Sequence, residues 1–225
     1  MYNKSSFKLP KGDTTMKIIT VSRQFGSGGR ELGRKLAEKL GFDYYDQEII
    51  KMIANNKELD ADYVEKTLEE GGWQTAPLSY GCSLDGVVAV QNIQTDIIAE
   101  EQRVLDEIAR LGRDCVVVGR NADAFLCQEQ LLKIFVCATI DSRVDRCMKH
   151  LRPEEKNLTR KKMERKIRKV DRNRVRTAEF FSESGWGNPE NYNVVVNTTG
   201  WEIDELSSVV AEFSNKWFDK TEKKQ

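Results

Sequence analysis

The chain has 225 residues, 39% of them hydrophobic, and its 36 basic and 36 acidic side chains cancel. That apolar share supports a sizeable core, and no stretch reaches the roughly 18 apolar residues that a membrane span needs. Charge balance argues against a dedicated nucleic-acid binder, and five cysteines without a C-x-x-C pair argue against a disulfide framework or a zinc site.

Residues 1–15 lack the apolar core of a signal peptide and read as a disordered extension, with Met16 as an alternative start. Residues 16–225 then read as one domain. Lys17–Ser22 (KIITVS) is a short β-branched strand, followed at once by the turn RQFGSGGR. Leu32, Leu36, Ala37 and Leu40 recur at helical spacing and Gly41 supplies a stop. Phe42–Asp46 reads as a second strand ending in a carboxylate.

From about Gln47 to Gly86 the pattern is polar and broken, with a short helix expected near Asp60–Glu70 and a loop at GGWQTAPLSYG. Such a stretch between core elements reads as a functional insertion. A long helix carrying Ile93, Ile97, Ile98, Val104, Leu105 and Ile108 on one face follows, then a strand at Cys115–Val118. Lys133–Ala138 and Tyr192–Val196 are further strands, with a helix near Asp141 and a closing amphipathic helix at Ile203–Phe218. Cys115 and Cys137 fall inside apolar strands as small core residues, Cys82, Cys127 and Cys147 complete the set, and the lone His150 reads as a surface residue. A reducing, cytoplasmic setting follows.

Strands alternating with helices point to a parallel α/β sheet. Polar residues repeatedly fall just after a strand: Gly26–Arg30, Asp46, Arg120 with Asn121, and Asn197 with Thr198. The carboxyl ends of parallel strands border one crevice, so these residues converge on a single site.

Strand, glycine-rich turn, helix is the arrangement that aims backbone N–H groups at a phosphate. Gly26, Ser27, Gly28 and Gly29 form that turn. It departs from G-x-x-x-x-G-K-[ST]: Arg23 takes the first glycine position, Gly29 the lysine position, and Arg30 follows. Arg30 is expected to supply the missing cation as a planar fork. Glu31 stands near the place of the Mg²⁺-binding hydroxyl, either as a metal-side carboxylate or as a first-turn acid paired with Arg34 or Lys35.

Residues 160–176 hold ten basic side chains against Glu164 and Asp171. Met163, Ile167 and Val170 mark an apolar stripe, and Arg168, Arg172 and Arg176 share one side at four-residue spacing. Positioned cations that close over a transferring phosphoryl group would suit such a segment. A nucleic-acid helix is disfavoured, because stacking aromatics are missing from the basic stretch.

The segments ITVSRQFGSGGRELGRKLAEKLG, FDYYD, VVVGRNADAFL, DSRVDR, IRKVDRNR and WGNPENYNVVVNT together resemble the cytidylate kinase-like family, a divergent branch of the nucleoside-monophosphate kinases. The resemblance spans about residues 16–218 in order. It implies a three-layer P-loop nucleotide-kinase fold with a five-stranded parallel sheet, an acceptor-binding insertion at 47–90 and a basic helical lid at 150–190. It further implies ATP with Mg²⁺ as cofactors, and transfer of the γ-phosphate to a pyrimidine nucleoside monophosphate, CMP or dCMP.

In the resembling kinases a strand-end aspartate, a Gly-Arg-Asp and a D-x-x-R hold the nucleotides. Here they correspond to Asp46, to Gly119-Arg120-Asn121 and to Asp171 with Arg174. Asn121 keeps a hydrogen-bonding group and loses the charge. Arg30, Asp46, Arg168, Arg172 and Arg174 are the expected catalytic set. Gly26–Glu31 is the expected donor cradle, with Arg120, Asn121 and Asp171 on the substrate. The expected partners are small-molecule nucleotides, with no nucleic acid, membrane or obligate protein. A nucleotide-binding regulator without catalysis, or a kinase for another small acceptor, are the alternatives.

Overall fold

The computed structural model describes residues 16–61, 64, 84–119, 121–126, 130–151, 157–181 and 185–223. Five strands, β1 (Ile18–Arg23), β2 (Asp43–Tyr45), β3 (Cys115–Val118), β4 (Leu131–Cys137) and β5 (Val194–Asn197), form one sheet in the order β2-β3-β1-β4-β5. Every pairing is parallel, with Ile18 opposite both Cys115 and Leu131. All six residues of β1 and all four of β3 are buried, which is why these strands read as continuous apolar or β-branched runs.

Helices α1 (Gly29–Leu40) and α7 (Ile203–Glu222) cover one face. Leu32, Leu36 and Ala37 from α1 and Val210, Ala211 and Phe218 from α7 pack there on Ile19, Val21, Val116, Ile134 and Val136. Helices α2 (Gln47–Lys57) and α3 (Leu84–Arg110) cover the other face, where Ile49, Ile53, Ile97, Leu105 and Ile108 meet Ile18, Cys115 and Val117.

Helix α2 corrects the expectation of a broken polar stretch after Gln47. Ile49, Ile50, Ile53 and Ala54 form a buried stripe at helical spacing, interrupted by Lys51 and followed at once by Asn55 and Asn56. Most of the expected 60–70 helix, the GGWQTAPLSYG loop, residues 1–15, Cys82 and Cys127 lie outside the described residues.

A four-residue helix α4 (Ala122–Phe125), helix α5 (Ile140–Lys149) and the basic helix α6 (Arg160–Phe181) complete the chain. Met163 and Ile167 of α6 pack with Val144 of α5. Cys115, Cys137 and Cys147 are free thiols, and burial pushes Cys115 up to about 12, so it stays protonated and inert. His150 is exposed at the end of α5. Among the described residues no helix is long and apolar enough to cross a membrane.

Candidate functional site

The glycine turn leaves β1 and enters α1 with Gly26 at φ 76° and Gly28 at φ 82°, conformations that cost an L side chain energy. Gly28 caps α1, with no side-chain hydrogen bond at that helix start. Four carbonyls of the segment are held by side chains from α5, from α6 and from Thr198 after β5. Arg174 Nη1 donates to Arg23 O at 2.9 Å, Arg143 Nη1 to Phe25 O at 3.4 Å, and Arg146 Nη1 to Gly26 O at 3.2 Å. Thr198 Oγ1 donates to Ser27 O at 2.6 Å. In a planar trans peptide the next N–H points opposite its carbonyl, so the amides of Gly26 and Gly28 point away from the groups that hold the Phe25 and Ser27 carbonyls. The Ser27 amide makes a 3.3 Å bond to Gln24 O within the turn.

Asp171 is the bolt between this turn and α6. It accepts the Phe25 N–H at 2.7 Å and pairs with Arg143, whose side chain is 9% exposed. Arg174, three residues on, also lies over the Phe25 ring at 5.7 Å. The two residues of the D-x-x-R pattern thus meet the turn together. Arg168 is instead held by Glu164 at 2.8 Å on the exposed side, and Arg172 is exposed, so neither reaches the turn.

At the carboxyl end of β2, Asp46 is buried and shared between two arginines. Arg30 Nε approaches its Oδ2 at 2.5 Å and Arg23 Nη2 its Oδ1 at 3.7 Å. Tyr44 Oη donates to Asp46 Oδ2 at 3.5 Å. Arg30 therefore leans out of the turn toward Asp46, while Glu31 is exposed in the first turn of α1. Asn121 adopts φ 49° as the cap of α4 and donates to the buried Glu101 of α3 at 3.4 Å. Arg120 lies outside the described residues.

Several residues around the site escaped the sequence reading. Arg143 and Arg146 come from DSRVDR, where their three-residue spacing on a strand-following helix was the available signal. The motif spacing marks Arg23 only as the residue in the first glycine position. Asp123 and Ser22 meet on the α2/α3 side of the sheet, where Ser22 and Tyr192 hydrogen-bond to the Asp123 carboxyl. Burial drives the Asp123 carboxyl above its ordinary range, and burial followed by the nearby Asp123 charge pushes the Tyr192 phenol up to about 12. No spacing rule joins residues 22, 123 and 192.

Comparison with known proteins agrees with this arrangement. The cytidylate kinase-like family model matches residues 18–200. A cytidylate kinase of Paramagnetospirillum magneticum (strain ATCC 700264 / AMB-1) is 28% identical over 153 residues, 63% of this chain and 72% of that protein. One from Thermotoga neapolitana (strain ATCC 49049 / DSM 4359 / NBRC 107923 / NS-E) is 22% identical over 211 residues, covering 84% and 92%. Among solved structures, an uncharacterized protein from Eubacterium ventriosum ATCC 27560 aligns with TM-score 0.62 and 21% identity, over 89% of this chain and 99% of that one. Shikimate kinase from Bacteroides thetaiotaomicron aligns with TM-score 0.51 and 16% identity, over 88% and 98%. The fold is therefore that of the P-loop kinases. With its glycine turn, its D-x-x-R helix and a family match across most of its length, the chain belongs to the cytidylate kinase-like family.

Proposed function

We propose that this protein transfers the γ-phosphate of ATP to a pyrimidine nucleoside monophosphate, CMP or dCMP. The observation that carries the reading is the glycine turn at the start of α1, whose backbone carbonyls are held by Arg143 and Arg146 of α5, Arg174 of α6 and Thr198. Preorganised amides at a helix N-terminus stabilise charge developing on phosphoryl oxygens without reorganising during the reaction.

In this reading Gly26, Ser27, Gly28, Gly29 and Arg30 cradle the donor phosphates. Asp46 orients the acceptor through its contacts with Arg23 and Arg30. Arg120 and Asn121 lie on the acceptor side, residues 47–90 form the acceptor-binding insertion, and residues 150–190 form the lid. Arg174 acts on the transferring group from the lid, and Asp171 holds it in place through Phe25 and Arg143.

Magnesium is usually held by one or two carboxylates together with substrate phosphates, and Asp46 and Glu31 are the carboxylates of this chain suited to that role. When bound, the ion would neutralise phosphate charge during transfer. The family and the strand-end placement of the site suggest a phosphotransferase, and the names of the curated relatives favour a cytidine acceptor.

A coupled ADP-release assay over a panel of nucleoside monophosphates and small alcohols tests the proposal. CMP or dCMP is expected to give the highest kcat/KM. Turnover only with a non-nucleotide acceptor would move the assignment to another kinase. ATP binding without any turnover would make the protein a nucleotide-responsive regulator.

A further inference from the structure

The altered turn holds a reciprocal exchange. Where G-x-x-x-x-G-K places glycine first and lysine last, this chain places Arg23 first and Gly29 last. The two positions touch. A Cβ at Gly29 would lie 2.5 Å from the Arg23 Cβ and 3.0 Å from its Cγ. The Arg23 stem therefore occupies the space from which a side chain at 29 would start, and the two substitutions form one steric unit.

The guanidinium continues to the carboxyl end of the sheet, with the side chain only 10% exposed. It lies across Gly119, where a Cβ would fall 1.4 Å from Nη1, and it reaches Asp46 at 3.7 Å. Gly119 has φ 72°, so the backbone after β3 is shaped to let this group pass. The main-chain carbonyl of the same residue is the one held by Arg174, which ties Arg23 to the basic helix as well as to the turn.

We propose that Arg23, at the end of β1, supplies the phosphate-binding cation that a lysine at position 29 would otherwise supply from α1. This rests on the donor-site reading of Gly26–Arg30 and deepens it. The ligand class is the terminal phosphoryl groups of a nucleotide, which a planar guanidinium meets with two parallel N–H donors. Arg30, with 41% of its side chain exposed, is the lesser contributor.

Calorimetric titration of the full chain with ATP, in the presence of Mg²⁺, tests the proposal. Arg23→Gln is expected to weaken binding by about tenfold or more, the loss of one charge-assisted interaction. Arg30→Ala is expected to weaken it too, by less than Arg23→Gln does. The exchange variant Arg23→Gly/Gly29→Lys is expected to restore most of what Arg23→Gln loses. Unchanged binding in a folded Arg23→Gln variant would overturn the proposal and leave the donor site standing. No ATP binding by the unaltered protein would remove the donor site itself, and this proposal with it. Should Arg23→Gln fail to fold, a crystal structure of the unaltered protein with ATP decides. Arg23 within hydrogen-bond distance of a β- or γ-phosphate oxygen supports the assignment, and phosphates contacted by Arg30 alone overturn it.

Discussion

Helix α6 presents charged side chains to two different environments. On one face Asp171 and Arg174 flank the buried stripe of Met163, Ile167 and Val170 and bond the glycine turn. On the other, Arg168 pairs with Glu164 one helical turn back, and Arg172 and Arg176 are exposed. The stripe decides which charges turn inward, because a residue beside it is carried to whatever the stripe packs on. Two arginines six residues apart, Arg168 and Arg174, therefore differ in kind although the chain gives them similar neighbours.

The largest expected effect is at Asp171. Asp171→Ala removes the acceptor of the Phe25 N–H and strands the buried Arg143, at a cost of about 3 kcal/mol in urea unfolding. A loss below roughly 1 kcal/mol would mean that the turn does not depend on α6, and the contrast between the faces would collapse.

Arg174→Ala comes next, with about 2 kcal/mol lost from its bond to the Arg23 carbonyl. If it also acts on the transferring phosphoryl group, kcat should fall by about 10²-fold. A fall in stability with full kcat would leave Arg174 a structural pin.

Two carboxylates away from α6, Asp123 and Glu100, test the effect of burial and pairing through pH. Burial raises the folded pKa of Asp123, so the native state holds its proton more tightly than the unfolded chain does. Stability from this group is present below the unfolded carboxylate value and is lost as pH rises through the raised folded one. Glu100 is the reverse. The Asn56 hydrogen bond, with Lys57 and Arg103, lowers its pKa, so its contribution holds above the unfolded value and is lost as pH falls through the folded one. Asp123→Asn should flatten the first slope and Glu100→Gln the second, as read by thermal melts across acid pH. Parallel slopes in variant and parent would remove the burial argument.

The smallest effects belong to the outer face. Arg168→Ala, Arg172→Ala and Arg176→Ala should each change stability by no more than about 0.5 kcal/mol. A large loss of kcat in Arg172→Ala, with stability unchanged, would instead show that this face closes over substrate during turnover.

The amino-acid sequence by itself determined the parallel sheet, the glycine turn and the apolar stripe of the basic segment. Each is a local matter: β-branched runs suit buried strands, clustered glycines permit positive φ, and three apolar residues at helical spacing fix one face. It left α2 hidden, because the apolar run Ile49–Ala54 is short and flanked by polar residues, and its place in the core with Ile18 and Cys115 shows the stripe. The tertiary structure alone decided what the charges meet. It set Arg23 against Gly29 and Gly119, shared Asp46 between Arg23 and Arg30, and turned Asp171 toward Phe25, 146 positions away. A side chain's pairing depends on which distant backbone the sheet order brings beside it, and no spacing along the chain encodes that distance.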